Sequence, residues 1–359
     1  MFLSQLLNKL QSPDETICYG EPWRYGEKSV TCVIPILQKK IMVERDYLLL
    51  SEAKNVKITD KGRISPVQIE NGEPLPVFIR LGEILKGATQ ERSVTQSHVI
   101  APGATVDVPV VCIHASRPLQ HGASFTAGGF APMKDALFAG EVKCMGHVDQ
   151  RTSWNMDRSY YAMSSSHLGG LTFGPEIRGG DGDATLGDGT LLSDAEPDNL
   201  SAITERVREA LDEVIKKVPL FNDQIGMALI GTVAPSKRVS EDGRPLRKIH
   251  VSGLQTLECF DLPDSWKAIK EMITGKEAIP ISDVLEDDSP FKIVFEPEKT
   301  TGQISKVLAG ELDVKTISDD KLSQVISLSY PGYVGEATIL NDHVIHLLIT
   351  RNDKPVSEE

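Results

Sequence analysis

The stretch GEILKGATQERSVTQSHVIAPGATVDVPVVCIHASR, residues 82–117, decides how the rest of the chain reads. An apolar strand at 77–81 leads into it, and a proline-entered apolar run at 109–114 closes it. Between them Glu83, Lys86, Gln90, Glu91 and Arg92 crowd more long polar side chains together than one turn needs. Composition alone fits a solvated hairpin and a ligand site equally well. Gly82 and Gly87 suit a tight turn or a close backbone approach, because glycine has no Cβ. Lys86 and Arg92 carry the charge to hold a phosphate or carboxylate, arginine with a two-pronged fork. Glu83 suits a base, an acceptor for a ribose hydroxyl, or the ion-pair partner of Arg92.

Toward the N-terminus the strand signals are dense. Residues 29–37 are an apolar β-branched run, and 47–50 another short one. Val56 and Ile58 alternate with lysines up to a turn at Asp60–Lys61–Gly62; a strand at 64–69 follows, then Asn71–Gly72 and a strand at 75–81. Asn-Gly between apolar runs is a strong hairpin signal. Pro66, Pro74 and Pro76 push these strands to edges or ends, since proline cannot donate to the ladder. At the start, Phe2, Leu3, Leu6, Leu7 and Leu10 fall at helical spacing, as in a docking helix rather than a signal peptide. In the other direction, 96–109 turns at Pro102–Gly103 and runs into the strand 110–114. There Cys112 and His114 sit two apart and share a strand face, a thiol beside an imidazole or a small buried hydrophobe beside a histidine.

Residues 166–198 are rich in Gly, Asp and Ser and read as a loop or insertion; their acidic spacing fails the EF-hand pattern. The apolar stripe over 200–218 predicts a helix lying on a sheet. Strands at 224–233 and 249–260 follow, with Gly253 as a bulge, then a helix at 264–273. An acidic insertion at about 276–329, with a helix near 304–308 stopped by Gly310, precedes a final hairpin, 335–340 and 343–349, joined by Asn341–Asp342. The expected fold class is α+β: a mostly antiparallel, strand-rich N-terminal half, then a helix packed on a C-terminal sheet. The expected parts are 1–165, carrying the 82–92 motif, the 166–198 segment, and an α+β portion at 199–359.

Bulk properties narrow the classes. Hydrophobic residues at 40% suffice for a sizeable core, and 38 Lys plus Arg against 51 Asp plus Glu leave a charge of −13. That balance argues against generic nucleic-acid binding, which needs cations on phosphates. The five cysteines lack any CxxC pair, and no apolar run is long enough to span a membrane, so a soluble cytoplasmic protein is expected. No metal motif, phosphate-binding loop or dinucleotide fingerprint occurs, and no cofactor or metal is predicted. Glu258 and Phe260 share a strand face with Cys259 opposite. Glu83 and Glu258 could meet across a sheet and do acid/base work, and His346 reads as a core histidine or a base.

Four features in order carry a resemblance: Gly82, Glu83, Leu85, Gly87, Gln90 and Arg92; Pro109, Val110, Cys112 and Ile113; Glu258, Phe260 and Asp261; and Val344, His346 and Leu347. Together they resemble the family named for its association with ADP-ribosylglycohydrolases and rhodanese-phosphatases, over roughly 30–275 and 330–350. The resemblance implies a nucleotide-derived small molecule such as ADP-ribose as ligand. Glu83, Glu258 and His346 would be the catalytic candidates, with Lys86, Gln90, Arg92, Cys112 and His114 as ligand-binding ones. A non-catalytic interaction or assembly module, with a protein partner or homo-oligomer, stands beside that reading. An acid/base hydrolase is the third, and whether the chain is an enzyme stays open.

Overall fold

The computed structural model describes residues 1–24, 31–39, 44–62, 65–87, 91–112, 122–129, 143, 221–233, 238–239, 245–248, 250–270, 292–294 and 297–352. Strands dominate and pair mostly antiparallel, with three helices among the described residues: α1 (Leu3–Gln11), α2 (Pro263–Lys270) and α3 (Pro297–Leu308). The predicted helix at 200–218 and the segment 166–198 lie outside the described residues.

A nine-stranded sheet draws its strands from both ends of the chain. Ile17–Tyr19 pairs with Thr31–Gln38, which also pairs with Trp23–Arg24 and with Gln224–Val233; next come His250–Phe260, His343–Arg351, Tyr333–Leu340, Ser323–Tyr330 and, at the edge, Asp313–Asp319. The early strands 17–38 therefore belong with the C-terminal sheet rather than with a separate N-terminal one. Residues 313–330, read above as insertion, supply two of its strands. Gly253, at φ 128°, sits among register shifts between Gln224–Val233 and His250–Phe260, as its bulge reading requires. The terminal hairpin forms as expected, with Asn341 and Asp342 at φ 48° and 64°, the left-handed pair of a tight two-residue turn.

Residues 56–129 build a second sheet of seven strands, with Thr105–Val108 at one edge and Val110–Cys112 at the other. Those edge strands are consecutive in the chain, separated only by Pro109. The sheet must therefore curl until its edges meet, which makes a nearly closed barrel. Ile58, Val67, Ile69, Leu85, Val94, Val108, Val110 and Phe125 fill it.

Between barrel and large sheet lies a short sheet of His98–Ile100, Val77–Ile79 and Leu48–Leu49. Alternation sends Val77 and Ile79 into the barrel core and Phe78 toward the large sheet, where it packs with Phe260, Trp266 and Met227. The other face of the large sheet carries Ile34, Ala228, Leu257, Cys259 and Leu347 under α1 (Leu6, Leu7, Leu10) and α3 (Ile304, Leu308).

Two local expectations fail. Asn71–Gly72 makes no hairpin: Val67–Asn71 stays in the barrel, while Val77–Ile79 leaves for the short sheet. Asn71 is fully buried and its Nδ2 donates to the carbonyls of Leu75 and Ile100, which holds the chain in a wider crossing. The polar stretch after Gly82 is likewise no simple connection between two strands. It folds as Ile84–Gly87 paired with Arg92–Val94.

Candidate functional site

Continuing the alternation of Val77–Ile79 by one residue aims Arg80 at the large sheet. There its Nε donates to Glu258 Oε1, and both side chains are buried, at 1% and 0% exposure. His346 reaches the same oxygen through Nε2 at 3.0 Å. The register explains the meeting, because Phe260 faces His346 and Thr338 faces His346 on its other side, so Glu258 and His346 share one sheet face. Phe78 and Phe260 flank the imidazole, with ring centroids 5.4 and 4.8 Å away.

After Arg80 the chain turns at once. The Glu83 N–H returns to the Arg80 carbonyl at 3.1 Å, and Gly82 holds φ 81°, the third position of a type II turn. The turn swings the Glu83 carboxylate back to accept the Arg80 N–H at 3.2 Å. Glu83 and Glu258 are thus linked through one residue, the first through its backbone and the second through its side chain.

The two carboxyls behave differently. Burial pushes Glu83 up to about 7, against the weaker pull of the Arg80 N–H and guanidinium. Burial also pushes Glu258 upward, but Arg80 and His346 outweigh it and hold the group well below the usual carboxylate range. A carboxylate can only accept, so His346 Nε2–H donates to Glu258. Among the described residues Glu258 Oε2, His346 Nδ1 and Thr338 Oγ1 are buried with no hydrogen-bond partner.

A second buried carboxylate on the same face is Glu336. It accepts the Ser97 N–H at 2.9 Å and Lys143 Nζ at 3.1 Å, while Ser97 Oγ accepts the Leu81 N–H at 2.9 Å. This relay ties the Arg80–Glu83 turn to the sheet. Farther along, Tyr47 donates its hydroxyl to Asp261 Oδ1 at 2.7 Å and lies 2.7 Å from Ser265 Oγ. Burial pushes Asp261 up to about 6, opposed by that hydrogen bond.

The predicted residues divide among several places. Glu83, Glu258 and His346 converge on the seam. Arg92 does not pair with Glu83: it points into the barrel as Val94 does, bonds Asp60 Oδ2 at 3.1 Å and stands 5.9 Å from the Phe125 ring. Asp60 lies two residues from the inward-facing Ile58, which places the barrel's buried carboxylate nearer than Glu83. Lys86 is exposed on its strand. Gln90 and His114 lie outside the described residues; Cys112 ends a described strand, and of its side chain nothing is described. Sequence reading missed Arg80, Asp60, Ser97, Lys143 and Glu336. Arg80 and Glu336 had a usable signal, each a lone charge inside an apolar strand (VFIRL, YVGEATIL). Among the described residues no group of three or more His, Cys, Asp or Glu is arranged to hold a metal ion, and no helix is long and apolar enough to cross a membrane.

The family model of the ARG and Rhodanese-Phosphatase-superfamily-associated Protein domain, ARPP-1, matches residues 16–235, more than half of the chain. The chain belongs to this family. The ARPP-1 match takes in the Arg80–Glu83 turn and stops short of Glu258 and His346, which the sheet brings back to it by strand pairing. No curated protein and no solved structure matches the chain.

Proposed function

We propose that the seam between barrel and large sheet binds a nucleotide-derived small molecule of the ADP-ribose kind through its ribose, with Glu83 placed to exchange a proton with it. The carrying observation is the trio Glu258 Oε2, His346 Nδ1 and Thr338 Oγ1. Burying such atoms unpaired costs about 1–3 kcal/mol each, a cost that a bound hydroxyl pair would offset. A carboxylate oxygen, an imidazole nitrogen and a hydroxyl are groups with which a vicinal diol can exchange hydrogen bonds. A carboxyl titrating near neutrality is also what proton transfer at pH 7 asks for. The family's name, which links it to ADP-ribosylglycohydrolases, agrees with a ribose-bearing ligand.

The test is thermal unfolding of the full chain with ADP-ribose, NAD, ADP and phosphate. A ligand at about 100 times its dissociation constant stabilises by roughly 2.7 kcal/mol, a shift of a few degrees. A shift with ADP-ribose or NAD that Thr338→Val removes supports the reading; a flat panel overturns it. A second reading, a structural lock in an interaction module, is favoured by the closed pairs Arg80–Glu258, Arg92–Asp60 and Lys143–Glu336. It expects the flat panel and an unchanged midpoint.

A further inference from the structure

The edge strand Asp313–Asp319 is committed on its inner side to Ser323–Tyr330 and exposed along nearly its whole length. Val314 and Ile317, at 48% and 40% exposure, are two of the four large apolar side chains left exposed among the described residues. An edge of this kind presents a row of backbone N–H and C=O groups that another strand can take up. Lys315, on the edge, is a common guard against such pairing.

Two copies of one edge constrain each other. The outward-pointing backbone groups fall on alternate residues, the same ones in both copies, so antiparallel pairing must set some residue opposite itself. Centred on Asp313 or Lys315, that residue meets its own charge; centred on Thr316, Asp313 meets Asp319; centred on Ile317, Lys315 meets Asp319 and Asp313 meets Lys321, but the axis then falls on the register shift between Thr316 and Ser318. Centred on Val314, each Asp313 faces the other copy's Lys315, Leu312 faces Thr316, and the two Val314 side chains meet on the axis. Facing opposite charges stabilise a strand pair and like charges destabilise it, so among the registers centred on the regular part of the strand, residues 313–316, this is the one the charges select. We propose that the occupant of this edge is a second copy of the chain, forming a two-fold dimer with Val314 on its axis. The guard at Lys315 then acts as a key, facing Asp313 in this register and its own charge in the register centred on Lys315. The register shift between Thr316 and Ser318 ends the regular pairing there, which keeps the contact short and the dimer dissociable.

Sedimentation of the full chain over a dilution series tests this. The wild-type protein is expected to reach twice the chain mass at high concentration and to dissociate on dilution. Lys315→Asp and Asp313→Lys alone should each weaken the dimer by roughly tenfold, because each acts twice across the axis. Mixing the two variants should restore it, as should the double variant, since both re-create facing opposite charges. A monomer at every concentration overturns the proposal, and so does a dimer indifferent to the single exchanges. Both positions are exposed edge residues, so circular dichroism of each variant is expected to match the wild type.

Discussion

Arg80 and Glu258, 178 residues apart in sequence, form a buried ion pair that fastens the short sheet to the large one. Their attraction offsets the cost of taking both charges out of water only while both are present. Removing either takes from the other a buried opposite charge, a loss of about 3–5 kcal/mol. Arg80→Met and Glu258→Met are each expected to lower stability by that order in urea unfolding. Arg80→Met combined with Glu258→Met should cost clearly less than the sum of the single changes. Simple additivity would mean the two groups are not energetically coupled.

Glu83 gives stability an unusual slope with pH. Its folded value, raised by burial to about 7, lies above the ordinary 4.5, so between them the unfolded chain ionises while the native carboxyl keeps its proton. The native state then binds more protons, and stability falls as pH rises through that window, by up to about 3 kcal/mol in all, then levels off. Glu83→Gln keeps the shape and removes the titration. Subtracting the variant's stability profile from the wild type's should leave a downward step between pH 4.5 and 7, while equal slopes would show a Glu83 that titrates normally.

Much of this architecture was legible in one dimension. Local signals sufficed where they act locally: the apolar spacing of α1, the left-handed Asn341–Asp342 turn, the bulge at Gly253 and the opposite facing of Glu258 and Cys259. Pairing between distant strands was not legible. Asn71–Gly72 carries a hairpin's letters, and the buried Asn71 amide redirects the chain through bonds to Leu75 and Ile100 that no local pattern announces. The site was half readable. Glu83, Glu258 and His346 were named, yet Arg80, the partner of both carboxyls, was passed over as part of an apolar strand, and Arg92 was given Glu83 when the barrel's curl supplies Asp60.

Gly226 backs the site from the neighbouring strand. A Cβ there would lie 2.2 Å from the Glu258 carbonyl oxygen and 2.6 Å from the Cys259 Cα, both backbone atoms that cannot swing aside. Gly226→Ala is therefore expected to part the central strand pair at a cost of about 3 kcal/mol, seen as a lowered midpoint in urea. Gly302→Ala, where a Cβ meets nothing within 4 Å, is the control and should be neutral or stabilising.

The Arg92–Asp60 pair separates stability from binding. It lies inside the barrel, with Arg92 over Phe125, while Glu258, His346 and Thr338 lie on the large sheet. Asp60→Asn removes the negative charge facing the buried guanidinium and should destabilise the chain by a few kcal/mol. The temperature shift produced by a seam ligand should persist in that variant at its lowered midpoint, since no seam group touches Asp60. Losing the shift in Asp60→Asn while keeping it in Thr338→Val would move the ligand from the seam into the barrel. Arg92 would then be the anchor that its place in the 82–92 stretch first suggested.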